Sequence, residues 1–246
     1  MKRAILVTGG SRGIGAAIST MAAARGYAVA INYLHDERSA RALLAAIEAG
    51  GGAACLVQGD VADEADVERM FDTAVARFGA LYGVVNNAGI TGRLGKFVAA
   101  EPASIAQIFR TNVLGTMNCC RAAIQRFQRS GSTGVIVNLS SIAAVTGSPN
   151  EYVHYAASKA AIETFTLGLA REVAVDGIRV CAVAPGSTLT DIHATAGEPG
   201  RPARIAPNIP MRRLATPEEI AEPVLWLLSD AASYMNGATV RCSGGL

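Results

Sequence analysis

The chain has 246 residues, 50% of them hydrophobic, and a formal charge of +2 at pH 7. That length can bury a substantial core, and so small and dispersed a charge speaks against a nucleic-acid partner. No run reaches the roughly 18 uninterrupted apolar residues of a membrane span, and the five cysteines show no CxxC or histidine-paired spacing, so reduced core thiols in a cytoplasmic protein are expected and no metal site.

In chain order, AILVT (4–8) reads as a first strand. Its apolar run within MKRAILVTGG is too short for a signal peptide. A helix is expected near 13–25, then a strand YAVAIN (27–32) and a helix near 37–49. AACLVQ (53–58) precedes a helix near 63–78, and LYGVVNN (81–87) precedes one that starts near 102. GVIVNLS (134–140) leads to a helix near 153–174. IRVCAVA (178–184) leads to a long irregular stretch, Ser187–Thr216, then to a helix near 217–229, and ATVRC (238–242) closes the series. Several strands lack polar alternation, as expected when helices cover both faces of a sheet. The repeated strand–helix order predicts one α/β domain over 1–246, a Rossmann-type doubly wound sheet of about seven strands, mostly or wholly parallel. A loop as long as 187–216 in a compact domain is expected to act as a substrate lid.

TGGSRGIG (8–15) stands between the first strand and the first helix. Glycine permits a tight turn and removes the β-carbons that would block a bulky pyrophosphate, while the helix N-terminus offers free N–H groups and the positive end of its dipole. A plain strand–helix turn would explain one or two such glycines. Here Gly9, Gly13 and Gly15 are joined by Gly10, in the first turn of an alternating chain.

This stretch resembles the cofactor turn of the short-chain dehydrogenases/reductases, and the resemblance runs through the chain. Within the turn it points to Gly9, Ser11, Arg12, Gly13, Ile14 and Gly15 as cofactor residues. Asp60-Val61 is similar to the pair that holds the adenine, and NNAG (86–89) to the motif after the fourth strand, with Asn87, Ala88 and Gly89 as cofactor contacts. Asn112 in TNVLGT matches the family's active-site asparagine. Ser141, Tyr155 and Lys159 match its catalytic serine and YxxxK, with Ser140 an alternative to Ser141. Pro185-Gly186, with Thr188 and Thr190, matches the segment that meets the nicotinamide. EYVHYAASK, GEPGR and NIPM are similar to an uncharacterised bacterial oxidoreductase subgroup. The resemblance implies a cytoplasmic homotetramer that acts on a small carbonyl or alcohol.

Tyr155 and Lys159 are four apart in a helical stretch, so both project from one face. Bringing a tyrosine from its ordinary pKa near 10 to about 7 takes roughly 4 kcal/mol. A cation at about 4 Å, with an effective dielectric near 20, supplies about that much. Lys159, helped by the positive nicotinamide of an oxidised cofactor, is therefore expected to tune Tyr155. The resemblance adds that Lys159 holds the cofactor ribose, that Ser141 bonds the substrate oxygen, and that Asn112 anchors a water continuing a proton relay. Tyr152 lacks a lysine four residues on and is expected to line or pack at the substrate mouth. His154 is read as a pocket-edge or surface residue, and His35 and His193 have no ligand-like partners.

An acid at the end of the second strand favours NAD by binding the ribose hydroxyls. Here that place reads Asn32-Tyr33, both read as cofactor contacts, and neutral Asn32 would not repel a 2′-phosphate. Arg12 offers that phosphate a charge-assisted contact. NADP(H) is expected to be preferred, with NAD(H) possible through Asp36 or Glu37. Arg201, Arg204, Arg212 and Arg213 bracket the irregular segment; they would meet an anionic substrate such as a phosphate-bearing thioester, or pair with nearby acids. Thr91–Lys96 is a further candidate pocket wall. Reduction of 3-oxoacyl thioesters and oxidation of sugars both stay open, as do a non-catalytic cofactor-binding protein and, less favoured, a methyltransferase, which has no need of YxxxK.

Overall fold

The computed structural model describes residues 2–246. The elements run β1 (Ala4–Val7), α1 (Gly13–Ala24), β2 (Ala28–Tyr33), α2 (Glu37–Ala49), β3 (Ala53–Gln58), α3 (Glu64–Phe78) and β4 (Leu81–Asn86). Next come α4 (Pro102–Phe109), α5 (Thr116–Ser130), β5 (Gly134–Leu139), α6 (Ala143–Thr146), α7 (Val153–Val173) and β6 (Ile178–Pro185). Two short helices, α8 (Ile192–Thr195) and α9 (Arg201–Ile205), precede α10 (Pro217–Leu228) and β7 (Thr239–Cys242). Among the described residues the strands form one seven-stranded sheet in the order β3-β2-β1-β4-β5-β6-β7, parallel at every pairing. This is the doubly wound α/β architecture expected from the alternating sequence.

Alternation along β1 shows why two helical layers are needed. Ile5 and Val7 pack with Ile18 of α1 and Val224 and Leu225 of α10. Ala4 and Leu6 pack with Phe71 of α3, Phe127 of α5 and Val173 of α7. Each strand residue points to the face opposite its neighbour, so a strand buried on both sides is apolar throughout. Caps set several helix starts: Asp36 and Asp63 accept from the backbone N–H groups of Ser39 and Asp66, and Thr216 with Glu219 closes a reciprocal capping box on α10.

Two places depart from expectation. The helix beginning at Pro102 does not run evenly into α5; Arg110–Gly115 forms a π-helical turn. Such turns open the backbone ladder and are frequent at functional sites. The stretch 187–216 is also not irregular throughout, since α8, α9 and a 3₁₀ turn at Ala206–Asn208 lie within it. Among the described residues no helix is long and apolar enough to cross a membrane.

The topology reverses between β1 and β4, the neighbours from which the chain winds in opposite directions. Asn32, at that end of β2, ties three segments together. Its Oδ1 accepts from Gly9 N–H at 3.0 Å, and its Nδ2 donates to the carbonyls of Val57 (3.2 Å) and Gly59 (3.0 Å). Asn32→Asp would replace that donor with a carboxylate oxygen facing two carbonyls. The expected loss is about 2 kcal/mol or more, the penalty of a buried polar group without its partner. Urea unfolding checks this as a lower midpoint with unchanged slope; a wild-type midpoint would show that the donor is dispensable.

Candidate functional site

A cleft of about 1130 Å³ opens at the C-terminal ends of the strands, where β1 and β4 diverge. Crevices at such reversal points are the usual ligand sites of open α/β sheets. One wall is the turn between β1 and α1. Gly9 and Gly13 adopt φ of +57° and +50°, a region costly for other residues. A β-carbon on Gly9 would stand 3.1 Å from Ala88 Cα, and one on Gly13 would stand 3.1 Å from Thr190 Cγ2 across the cleft. One on Gly15 would stand 2.2 Å from the Gly9 carbonyl oxygen. Gly15 therefore lets the turn close on itself and does not line the cleft, whereas Gly9, Ser11, Arg12, Gly13 and Ile14 do.

This turn suits an anionic dinucleotide. Arg12, the residue before α1, makes no side-chain cap, and the first turn of the helix carries no acid. Its free N–H groups and positive dipole end thus face the cleft without a competing carboxylate. Asn87 holds the turn by donating to the carbonyls of Thr8 (2.9 Å) and Gly9 (3.0 Å), and Thr8 Oγ1 accepts from the backbone N–H groups of Asn87 and Ala88. Tyr33, Asp60, Val61, Gly89, Pro185, Gly186, Thr188 and Thr190 also line the cleft.

Asn32 lines it too, but both ends of its amide are engaged in holding the turn, so it offers no free group to a ribose. The groups at that end with reach are Arg12, whose side chain is 58% exposed, and Asp36, with Arg12 Nε 3.9 Å from Asp36 Oδ2. Bonds from Ser39 hold the Asp36 carboxyl below its usual range, and Arg12 adds to this.

At the other end, β5 and α7 bring Ser141, Tyr155 and Lys159 to the same cleft. Tyr155 and Lys159 are both buried. Burial pushes the Tyr155 hydroxyl up, with the Ser141 hydroxyl working against it. Burial also pushes Lys159 down, to about 8. Lys159 Nζ donates to the Leu139 carbonyl at 2.7 Å and lies 5.7 Å from the centroid of the Tyr155 ring. The tuning expected of Lys159 is therefore opposed by burial, which favours the protonated form of Tyr155.

Ser140 also borders the cleft, but its hydroxyl, with one hydrogen to give, faces two acceptors inside the protein, Glu163 Oε1 (2.9 Å) and the Lys159 carbonyl (3.2 Å). Ser141 is the residue beside Tyr155. Asn112 does not line the cleft. It lies fully buried in the π-helical turn, bonded through its side chain to both backbone groups of Ile90 at 2.9 Å and to Ser158 Oγ at 3.0 Å. A β-carbon on Gly89 would stand 3.3 Å from Asn112 Oδ1 and 3.4 Å from Lys159 Nζ, so this glycine lets the two groups approach the site from behind.

On the substrate side Glu151 and His193, which the sequence did not single out for this wall, border the cleft beside Tyr152 and Arg201. Arg201 and Arg204 are both paired with Glu151, and Arg204 also with Glu198. Arg213 pairs with Glu219, and Arg212 donates to the Pro207 carbonyl. The pairing of the arginines, not an open cationic wall, is what the structure shows. His154 is buried, not at the surface. Of Thr91–Lys96, only Thr91 borders the cleft; Leu94 and Gly95 donate through their backbone to the carbonyls of Ala196 and Glu151. The signal for this cluster was present in EYVHY and GEPGR, but the pairings span about fifty residues and leave no local pattern.

A family model described as enoyl-(acyl carrier protein) reductase matches residues 9–246. The chain is 46% identical over 242 residues to an uncharacterized oxidoreductase of Escherichia coli, YgfF, covering 98% of each chain. It is 40% identical over 251 residues to 3beta-hydroxysteroid dehydrogenase 1 of Eggerthella lenta, covering 99% of this chain and 93% of that one. It is 37% identical over 246 residues to the 3-oxoacyl-[acyl-carrier-protein] reductase FabG of Staphylococcus aureus, covering 100% and 98%. With the parallel sheet, the glycine turn and a match that runs from that turn to the last residue, the chain belongs to the short-chain dehydrogenase/reductase family and is an oxidoreductase of the alcohol–carbonyl, nicotinamide-dependent kind.

Proposed function

We propose that this protein is an NADP(H)-preferring reductase or dehydrogenase that moves a hydride between the cofactor and a carbonyl or secondary alcohol, with Tyr155 as general acid–base. The convergence of Ser141, Tyr155 and Lys159 on the cleft that the glycine turn borders carries this reading. The nicotinamide supplies hydride transfer when bound. The residues of the chain hold and move the proton. In reduction the Tyr155 hydroxyl donates to the substrate oxygen, which the Ser141 hydroxyl also bonds as negative charge develops there. In oxidation Tyr155 must first give up its proton. Lys159, at about 8, is charged near neutral pH and favours that loss, and the positive charge of an oxidised nicotinamide adds to it. Asn112, fixed on Ile90, holds the strand end behind Gly89 in register with Lys159.

Arg12, exposed at the ribose end, supports the NADP(H) preference, because a guanidinium pairs well with a phosphate. The pairing of Arg201 and Arg204 with Glu151 and Glu198 weighs against a phosphate-bearing group at that wall, and so favours an uncharged carbonyl or alcohol there over a thioester carrier. Leu114 and Leu167, exposed and apolar, fit the cytoplasmic homotetramer that goes with this reading. A panel of uncharged ketones, secondary alcohols, sugars and 3-oxoacyl thioesters, followed by the absorbance of the reduced nicotinamide, tests it. Tight cofactor binding with no turnover across the panel would favour a non-catalytic binding protein.

Tyr155→Phe keeps the packing ring and removes the proton, so turnover is expected to fall on the order of 10²–10⁴ with cofactor affinity retained. Steady-state rates beside a cofactor titration check this. Lys159→Met removes the charge near Tyr155 and the proposed ribose contact. Alcohol oxidation should then lose rate at neutral pH, and its lower pH inflection should move upward; an unmoved inflection would separate Lys159 from the tuning of Tyr155. Arg12→Ala is expected to weaken NADP(H) roughly tenfold, since its contact is exposed, and to leave NAD(H) nearly unchanged. Equal losses for both cofactors would assign Arg12 to the turn alone.

A further inference from the structure

Arg201 is buried, 7% exposed, yet it comes from the helical segment that covers the cleft. Its guanidinium meets three side chains on two other segments. Nη2 donates to Glu151, just before α7, and to the Tyr152 hydroxyl at 2.7 Å. Nη1 lies 3.2 Å from His193 Nδ1, and His193 Nε2 lies 2.9 Å from the Thr188 carbonyl. A guanidinium has only donors, so Nδ1 must accept, and Nε2 carries the hydrogen toward Thr188. This fixes His193 as one neutral tautomer. Tyr152 in turn packs edge-on against Tyr155, with ring centroids 5.2 Å apart. One cation therefore joins the covering segment to Tyr155 through Tyr152, and to the segment after β6 through His193 and Thr188.

We propose that Arg201 is a positioning residue of the reaction: it holds Tyr152 against Tyr155 and sets Thr188 relative to them, so that the closed covering segment and the proton-transferring hydroxyl are aligned together. This rests on the reading of Tyr155 as general acid–base. A mere surface clasp would not need a buried guanidinium; Arg204, half exposed, already links Glu198 to Glu151 from outside. Burial works against the Glu151 carboxylate, but Arg201 and Arg204 together hold it below its usual range, so the group stays ionised near neutral pH. The charged and titratable groups near Tyr155 are Lys159 and His154 on its own helix, Tyr152 and Glu151 before it, and Arg201, with His193 bonded to it, in the covering segment. Of these, Arg201 favours the Tyr155 phenolate and Tyr152 opposes it.

Removing Arg201 alone would leave one oxygen of the partly buried Glu151 carboxylate without its partner, Arg204 holding only the other, so the double variant Arg201→Met with Glu151→Gln is the cleaner test. With a secondary alcohol that the wild type oxidises, this variant is expected to keep its cofactor dissociation constant, to lose kcat by about tenfold or more, and to move the lower inflection of kcat upward by about half a pH unit. Arg201→Lys should recover part of both changes. Tyr152→Phe, which keeps the ring and removes the bond to Arg201, should lower kcat with little change in KM. A rise in KM alone in the double variant, with kcat and inflection as in the wild type, would make Arg201 a wall of the substrate mouth and overturn the proposal. If circular dichroism shows the double variant unfolded, Tyr152→Phe decides, and wild-type kcat and inflection in it overturn the proposal. Tyr155→Phe, run alongside, separates the two levels: its full activity overturns the role of Tyr155 itself, whereas an inactive Tyr155→Phe beside a normal double variant overturns only the role of Arg201.

Discussion

Buried backbone N–H groups must find partners, and the whole site rests on how this chain meets that demand at the end of β1. The turn that follows runs between β2 and β4, in the middle of the sheet. Gly9 N–H is taken by the Asn32 side chain and Gly10 N–H by the Asn32 backbone carbonyl. The carbonyls of Thr8 and Gly9 are taken by Asn87. With those groups satisfied inside the protein, the N–H groups at the start of α1 remain for a ligand. Two asparagines thus hold the turn, Asn32 by donating and accepting at once and Asn87 by donating to two carbonyls. An aspartate in either place could only accept when ionised.

The same low-dielectric interior sets the proton chemistry. Burial raises Tyr155 and lowers Lys159, so each group is biased toward its neutral form. A tyrosine held protonated is ready to donate, which suits reduction. To accept a proton it needs positive charge close by, and Lys159 is engaged with the Leu139 carbonyl. Under the proposed role of Tyr155, reduction and oxidation ask different things of one pair of residues, and the charge of an oxidised nicotinamide would be present only in the oxidative direction.

The fold was legible because its signals are local. Two-sided burial of β1, β2 and β5 shows as apolar runs, interrupted only by Asn32 in β2 and Asn138 in β5, and the helix expected near 37–49 is present as Glu37–Ala49. The glycine turn and YxxxK were legible for the same reason: four glycines in eight residues and one helical spacing each lie within a single turn of chain. The roles inside those motifs were less legible. Gly15 serves the turn and not the cleft, and Asn32 looks like a ribose contact by position while its amide is bonded on both sides. The π-helical turn at Arg110–Gly115 has no composition that marks it, because it differs from its neighbours in hydrogen-bond register and not in residue type.

In the covering segment the sequence left two readings of the arginines open, an anionic substrate or pairing with nearby acids, and the fold selects the second: Arg201, Arg204 and Arg213 are each matched by an acid. Glu151 sits about fifty residues from its two partners, and one carboxylate neutralises a buried guanidinium and an exposed one through different oxygens. The consequence for specificity is physical. A wall whose charges are internally paired repels ions of either sign through desolvation and offers hydroxyls and ring faces instead, here those of Tyr152 and Tyr155.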